Sequence, residues 1–297
     1  MKLRSRVLNI VPGLSLLALT LLVGSVAFAE EAAEKPAKKS AAEIAQELSN
    51  PTTAVASITS NLNFTEFDGD LPGADGQRGW SYLLQPSIPF PQGNGKNVLF
   101  RPAITIFGKQ PVPDGGGGYK DRFELGDIGF DLAYGGVFGN LGKLGGLLLL
   151  GGMVGSIPTA TDDSVGTDQW HLGPEALVGM IGKWGVAGVL VSHQWGLEND
   201  DDLRTNITGG QYFVAIPILD KTWQLFTSPT FSYNHELDGE KWTLPVGGGL
   251  SKTTIIDGRV WKFSFQYWNY VKSRDDFGPE HLIRFTIAPV IDLPWGG

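Results

Sequence analysis

Leu125–Gly135 reads LGDIGFDLAYG, and its alternation sets the terms for the fold. Gly126, Ile128, Phe130, Leu132 and Tyr134 make one set. Asp127, Gly129, Asp131 and Ala133 make the other. A period of two marks a strand, because successive side chains leave a pleated backbone on opposite sides. One face is apolar and ends in a tyrosine. The other carries two carboxylates among small residues. In a water-soluble sandwich the apolar face points to a core and the acids to solvent. In a membrane barrel the apolar face meets lipid and the acids line a wet interior. This stretch is compatible with both; the ends of the chain and the order of its loops separate them.

The first residues have the form of an export signal. Lys2, Arg4 and Arg6 give a positive start, Val7–Val23 is largely apolar, and Ala27-Phe28-Ala29 is a small-x-small cleavage site. A signal peptide is expected at 1–29, with the mature chain starting near Glu30. The alternative, a retained anchor, lacks a positive stop after the apolar run. No later run reaches the roughly 18 apolar residues of a helical span. The chain has no cysteine, so an exported form has neither disulfide staples nor thiol-bound metals. A net charge of -8 argues against a nucleic-acid surface. The 41 glycines suit tight turns and curvature, and aromatics at 11% suit interface girdles.

Residues 30–52 form a polar lead-in. Ser40 followed by Glu43 is a capping box, so a short helix is expected over Ser40–Ser49, stopped by Asn50-Pro51. This lead-in reads as a tether carrying a loosely held helix; the alternative is a plug entering a barrel from the periplasm. From 53 to 297 the text is strands and turns, about twelve strands in all. They are expected near 53–67, 79–90, 97–107, 124–136, 146–157, 170–181, 184–195, 205–218, 223–234, 241–251, 259–271 and 281–293.

The connections sort by character. Those at 68–78, 108–123, 158–169, 196–204, 235–240 and 272–280 are polar and acidic. Those near 91–96, 138–145, 182–184, 219–221 and 252–258 are mostly shorter and less acidic. Long outer loops alternating with short inner turns are what a membrane barrel shows. An even strand count puts both termini at the short-turn, periplasmic end. Tryptophans 80, 170, 184, 223, 242 and 261 fall near strand ends, as girdles do. Trp295 is a partial match to the terminal aromatic that barrel-insertion machinery reads. Seven prolines oppose this reading: Pro86, Pro102, Pro174, Pro217, Pro229, Pro245 and Pro289 sit inside expected strands, where proline lacks the ladder N–H. Pro86 and Pro102 are expected roughly opposite each other, as paired bulges or kinks.

Nucleophile–base sets are sparse. Ser192-His193 is the one candidate, and adjacent strand residues point to opposite faces, so the two do not pair. No G-x-S-x-G, H-E-x-x-H or Walker loop occurs. No enzyme activity, cofactor or metal is expected. The inward candidates are Arg101, Asp127, Asp131, His171, Glu175, His193, Lys262 and Arg284. Ionisable groups in a lumen are solvated or paired, so they form either a selectivity constriction or an ion-pair network that stiffens a narrow interior. Asp162-Asp163, Asp200–Asp202 and Asp275-Asp276 have no calcium-loop spacing and read as solvated loops.

At several of these motifs the chain resembles the bacterial outer-membrane proteins grouped as the MetA-pathway of phenol degradation family, some of whose members carry a misplaced "neuromedin U" label. The resemblance rests on GDLPGADG (Gly69–Gly76), LLQPSIPFP (Leu83–Pro91), FRPAIT (Phe100–Thr105), LGDIGFDLAYG, IPTATDDSVGTDQW (Ile157–Trp170), LGPEALVG (Leu172–Gly179), SHQW (Ser192–Trp195) and FGPEHLIRFTIAPV (Phe277–Val290). It runs from about Pro51 onward and implies a transporter-like barrel passing small molecules, hydrophobic or aromatic ones among them. It supplies no site residues.

The expectation is therefore an all-β, antiparallel transmembrane β-barrel in the cell outer membrane of a Gram-negative-type envelope, serving passive passage of small molecules. Loops 108–123 and 196–204 or the N-terminal helix would gate it. Its partners would be the lipid bilayer, lipopolysaccharide, the barrel-insertion machinery and a small-molecule solute. The rivals are a closed structural or surface-binding barrel and a barrel lipase.

Overall fold

The structure, a computed structural model, describes residues 39–198 and 205–295. The expected signal peptide and the acidic run Asp200–Asp202 lie outside the described residues. One helix, α1 (Ala41–Glu47), precedes the strands. The strands are β1 (Ser57–Asp68), β2 (Gln77–Gly93), β3 (Lys96–Pro113), β4 (Tyr119–Leu125), β5 (Ile128–Asn140), β6 (Gly146–Ile157) and β7 (His171–Gly182). Then come β8 (Gly185–Gly196), β9 (Asn206–Ile218), β10 (Trp223–Thr227), β11 (Thr230–Asn234), β12 (Trp242–Ile256), β13 (Arg259–Lys272) and β14 (Gly278–Pro289).

Each barrel strand pairs antiparallel with its neighbours in the chain, and β1 closes on β14 through pairs such as Asn61↔Thr286 and Asn63↔Arg284. The result is a closed antiparallel barrel of twelve staves. β10 and β11 share one stave, since both pair with β9 and β12. β4 lies off the barrel, paired with the far end of β3. Closure leaves no unpaired edge to be covered. No described helix is long and apolar enough to cross a membrane, which says nothing against crossing by strands.

Turn chemistry explains the hairpins at one end. Asn94-Gly95 and Asp257-Gly258 all have positive φ, between 50° and 76°. That is the two-residue turn whose twist matches the flanking strands, and Asn-Gly and Asp-Gly suit it best. The first strand begins and the last ends beside these short turns, where Ser57 bridges Val290 and the Ile291 N–H donates to the Ala56 carbonyl. The opposite end carries the long loops. There the backbone of Asp70 and Leu71 donates to the carbonyls of Asp275 and Asp276, so the 69–76 and 273–277 loops are latched together. Gly69 allows the approach: a Cβ there would lie 2.2 Å from the Asp276 oxygen.

The two faces divide as the alternation requires. Phe64, Leu132, Val178, Phe265, Phe285 and Ile287 point outward and are 42% to 51% exposed. Phe285 contacts both Phe64 and Phe265 edge-on or tilted, at 6.4 and 5.3 Å between ring centroids. The inward face buries Leu99, Leu148, Leu150, Leu177, Val186 and Phe213 in one cluster, alongside many polar side chains. An apolar exterior around a largely polar interior is the reverse of a water-soluble protein and the pattern of a membrane-spanning barrel.

Three expectations are corrected. The opening stretch is not one strand: it breaks at Gly126-Asp127, between β4 and β5. Segment 108–123 is not a plain loop, because β3 and β4 run on as a hairpin arm through pairs such as Val112↔Lys120. Pro86 and Pro102 do not make bulges. The pairs flanking them, Leu84↔Ile104 and Ile88↔Phe100, keep one register and set the two prolines directly opposite. Pairing lapses over the intervening residues because each proline removes the N–H that the other's carbonyl would accept. Their other neighbours stay paired, through Ile58↔Pro86 and Pro102↔Phe130. Pro245 does sit at a register shift, and Pro229 separates β10 from β11.

Candidate functional site: the lumen

The lumen is built from inward positions of all the staves. In an antiparallel sheet, residues directly opposite share a face. From Arg101, opposite Asp131, the register carries round through Val154 and Gly173 on the inward side. Arg101 and Asp131 form an ion pair, Nε to Oδ1 2.8 Å, with side chains 16% and 13% exposed. The pair sits part-buried, where geometry of this kind offsets desolvation without adding much net stability. Glu175 lies further round the same wall, opposite Gly152 and Ser192. Its Oε1 has no hydrogen-bond partner among the described residues. His171 Nδ1 and Ser156 Oγ are 2.9 Å apart across β6 and β7.

The opposite wall, on β13, β14 and β1, is hydroxyl- and amide-rich and carries two cations. Arg284 donates from Nε to Asn63 Oδ1 at 2.7 Å, and its guanidinium lies over Trp268, 4.3 Å from the ring centroid. Lys262 approaches Ser49 Oγ at 3.5 Å and stands 5.5 Å from the Phe226 ring centroid. Among the described residues neither cation has a carboxylate at ion-pair distance.

The N-terminal segment closes the short-turn end. Ser40 caps α1 by accepting from the Glu43 N–H, and Glu43 accepts back from the Ser40 N–H. That reciprocal bond holds the Glu43 carboxyl below its ordinary pKa. Beyond the cap, Gln224 donates to the Ala45 carbonyl at 3.1 Å, Ser49 donates to Gln224 Oε1 at 2.8 Å, and Gln46 donates to the Gly182 carbonyl at 3.0 Å. Asn97 donates to the Thr52 carbonyl at 2.7 Å. Ala45 and Thr52 are almost fully buried. The helix is therefore seated in the barrel mouth, where a loosely held tether was expected. The cause is specific: inward amides on β3 and β10 reach backbone carbonyls that an unseated helix would leave to water.

Above this seat lies a cavity of about 280 Å³. Its floor is Leu48–Pro51 together with Thr53 and Val55. Arg101, Lys262 and Arg284 line it on the polar side, with Ser264, Gln266 and Thr286 between them. Val186, Phe213, Ala215 and Phe226 line the apolar side.

Six of the eight sequence candidates thus face inward: Arg101, Asp131, His171, Glu175, Lys262 and Arg284. Two do not. Asp127 falls in the break between β4 and β5 and accepts from the backbone N–H groups of Thr159, Ala160 and Thr167 and from the Thr167 hydroxyl, at 2.8–3.1 Å. It is an anchor for the 158–167 loop. His193 is placed outward by the register, since Ser192 rather than His193 lies opposite Glu175. At the long-loop rim it meets Thr208 Oγ1 at 2.7 Å, which in turn meets His235 at 2.9 Å. The same register separates Ser192 from His193. The Ser156–His171 contact escaped the sequence reading because it joins two strands, and only register reveals such a pair.

The acidic loops are structural. Asp114 accepts from the Gly116 and Gly118 N–H groups, Asp162 from Ser164, and Glu240 from Lys272. Those bonds hold all three carboxyls below their ordinary pKa. Among the described residues no group of three or more His, Asp or Glu side chains is placed to hold a metal ion.

The barrel superposes on the COG4313 outer membrane channel from Pseudomonas putida F1, with a TM-score of 0.56 over 82% of this chain and 98% of that one. The fold is an outer-membrane-type β-barrel. At 12% identity the likeness speaks for the fold alone. The NanC porin (TM-score 0.44, 10% identity, 80% of this chain and all of that one) is more distant. So is the transport unit of the autotransporter AIDA-I from Escherichia coli (0.42, 8%, 85% and 96%). No protein-family model matches the barrel's sequence, and no curated protein matches it significantly.

Proposed function

We propose that this chain is an outer-membrane channel for passive passage of small molecules, narrowed at its periplasmic end by the segment around α1. One observation carries the reading: a closed barrel is greasy outside and encloses a cavity with a charged, hydroxyl-rich wall inside. A belt of exposed apolar side chains running over most of the staves is far larger than the patches a soluble monomer tolerates. Lipid is the solvent that suits it, and the outer membrane is where closed barrels of this type reside. The resemblance to the MetA-pathway of phenol degradation family points the same way. Hydrophobic or aromatic solutes are part of the proposal on that ground.

A second reading has its own support. The apolar cluster and the seated helix together fill much of the lumen, as in a closed structural barrel. Planar-bilayer recording separates the two. Discrete conductance steps are expected from the purified full-length protein, and liposome swelling should then rank the solutes. Silence both in the full chain and in a variant lacking 39–52 would favour the closed barrel. In a conducting protein, Asp131→Asn leaves Arg101 without its counter-ion, and the reversal potential should shift toward anions. An unmoved potential would remove the Arg101–Asp131 pair from the conducting path.

A further inference from the structure

The cavity above α1 has two unlike walls, and the difference specifies a ligand. On one side Lys262 and Arg284 present positive charge among Ser264, Gln266 and Thr286. Among the described residues no carboxylate pairs with either cation, and neither Asp131 nor Glu175 lines this cavity. On the other side Val186, Phe213, Ala215 and Phe226 offer an apolar surface, and the polar Gln211, Thr227 and Ser228 beside them make hydrogen bonds of their own to the Ser228 carbonyl, the Gly247 carbonyl and Gln266. Lys262 stands where the walls meet: its ammonium is near Ser49 Oγ and beside the Phe226 ring.

A part-buried cation with no carboxylate beside it gains from a counter-ion or hydrogen-bonding partners. Neutral hydroxyls and amides meet that need only in part. A bare inorganic anion would satisfy the charge and leave the apolar wall facing water. A neutral apolar solute would do the reverse. One molecule meets both walls: a small organic anion whose carboxylate sits at Lys262 and whose apolar body lies on Phe213, Phe226 and Val186. Arg284 is displaced along the wall, for Gln266 and not Lys262 lies opposite it. Its guanidinium therefore offers a second carboxylate station, held flat by Trp268. A volume of about 280 Å³ suits a one-ring molecule, being at the lower edge of ligand pockets in general.

We infer that the lumen cavity is a binding site for small organic carboxylates, with Lys262 holding the headgroup and the Phe213–Phe226 wall holding the body. This rests on the channel reading only for its role in passage; the site itself stands on the cavity. The test is equilibrium dialysis of the full-length protein in detergent, corrected against protein-free micelles. The probes are benzoate, benzyl alcohol as its uncharged counterpart, and acetate as a headgroup without a body. Benzoate should saturate and bind at least about tenfold more tightly than either, roughly the loss expected when one of two matched contacts is removed. Lys262→Met should weaken benzoate about tenfold and leave benzyl alcohol unchanged. Its folded state is checked by heat-modifiable migration on a gel. Benzoate binding no more tightly than benzyl alcohol or acetate overturns the site, and the wild-type series decides this even if the variant does not fold. Indifference of benzoate to Lys262→Met in a folded barrel overturns it too. Conductance is recorded on the same preparations. Current without benzoate binding sinks the site and leaves the channel; binding without current sinks passage and leaves the site.

Discussion

The segments at the two ends of the barrel are held in place in different chemical languages. At the short-turn end the N-terminal segment is held mainly by neutral groups. Gln224, Gln46, Ser49 and Asn97 reach backbone carbonyls or one another, and none of them titrates. At the long-loop end, beside the backbone latch between 69–76 and 273–277, carboxylates do much of the joining. Asp127 gathers the 158–167 loop, Asp275 accepts from the Glu240 N–H, and Glu240 takes Lys272. Neutral bonds are indifferent to salt and to mild acid, whereas exposed carboxylate bonds are not. The seated segment should behave as a fixed constriction and the long loops as a rim sensitive to its medium.

The sharpest way to break this contrast is to remove the seated segment. A variant lacking 39–52 loses most of the cavity floor and every bond of the seat. Its single-channel conductance should rise several-fold, with the barrel still folded because no ladder pair is touched. Unchanged conductance would mean that the narrow point lies elsewhere, among the outer loops. The matching test at the other end is Asp127→Ala. Four hydrogen bonds to one carboxylate are lost, and bonds to a charged group contribute about 1.5–3 kcal/mol. A net cost of about 2 kcal/mol would raise local opening roughly thirtyfold. Limited proteolysis should then cut within 158–167 much faster, with no change in cleavage near α1. Equal cleavage in both proteins would show that Asp127 is not what holds the loop.

Acid offers a gentler discrimination. Asp114, Asp162 and Glu240 all have folded-state pKa values below their unfolded ones. A group of that kind contributes stability above its unfolded pKa, around 4, and loses it as pH falls through the folded value. The long-loop end should therefore loosen only below about pH 4, seen as rising current noise or loop proteolysis. The amide and hydroxyl bonds by which Gln224, Gln46, Ser49 and Asn97 hold the seat contain no titrating group. The Glu43 cap also depends on an ionised carboxyl, so fraying of the first turn of α1 is expected in the same window. Loosening that begins near pH 6 would overturn the carboxylate account.

What the sequence made legible follows from which contacts are local. Alternation is a one-strand property, so the inward placing of Arg101, Asp131, Glu175, Lys262 and Arg284 follows from parity. Turn chemistry is local too, and Asn94-Gly95 announces its hairpin. Parity fails where a strand is interrupted or miscounted. Asp127 shares parity with Asp131, yet two residues out of the ladder turned it from a lumen group into a loop anchor. His193 was read inward although its neighbour Ser192 is the one that lies opposite Glu175. The seat of α1 was not legible at all. It depends on Gln224 and Asn97, far along the chain, finding carbonyls at Ala45 and Thr52. A capping box shows that a helix starts and says nothing about where it docks.

The wall between the two ends carries the smallest of the expected effects. Pro86 and Pro102 face each other at a position where both residues would exchange N–H···O bonds, and both donors are missing. The register is the same on either side, so the gap is chemical rather than geometric. Restoring the donors should therefore close it without moving the strands. Pro86→Val with Pro102→Val returns two bonds, each contributing on the order of 0.5–1.5 kcal/mol net. The relaxed unfolded-state restriction of two lost prolines takes back about 0.4–1 kcal/mol apiece. The two changes nearly cancel, so the melting temperature should move by no more than a few degrees. Amide exchange at positions 86 and 102 is the better readout, because it reports the new N–H groups directly. Slow exchange at both would show a seam that seals when given donors. Fast exchange would mean that the strands stand apart there for another reason, and that the barrel wall is open between its two unlike ends whatever residues occupy it.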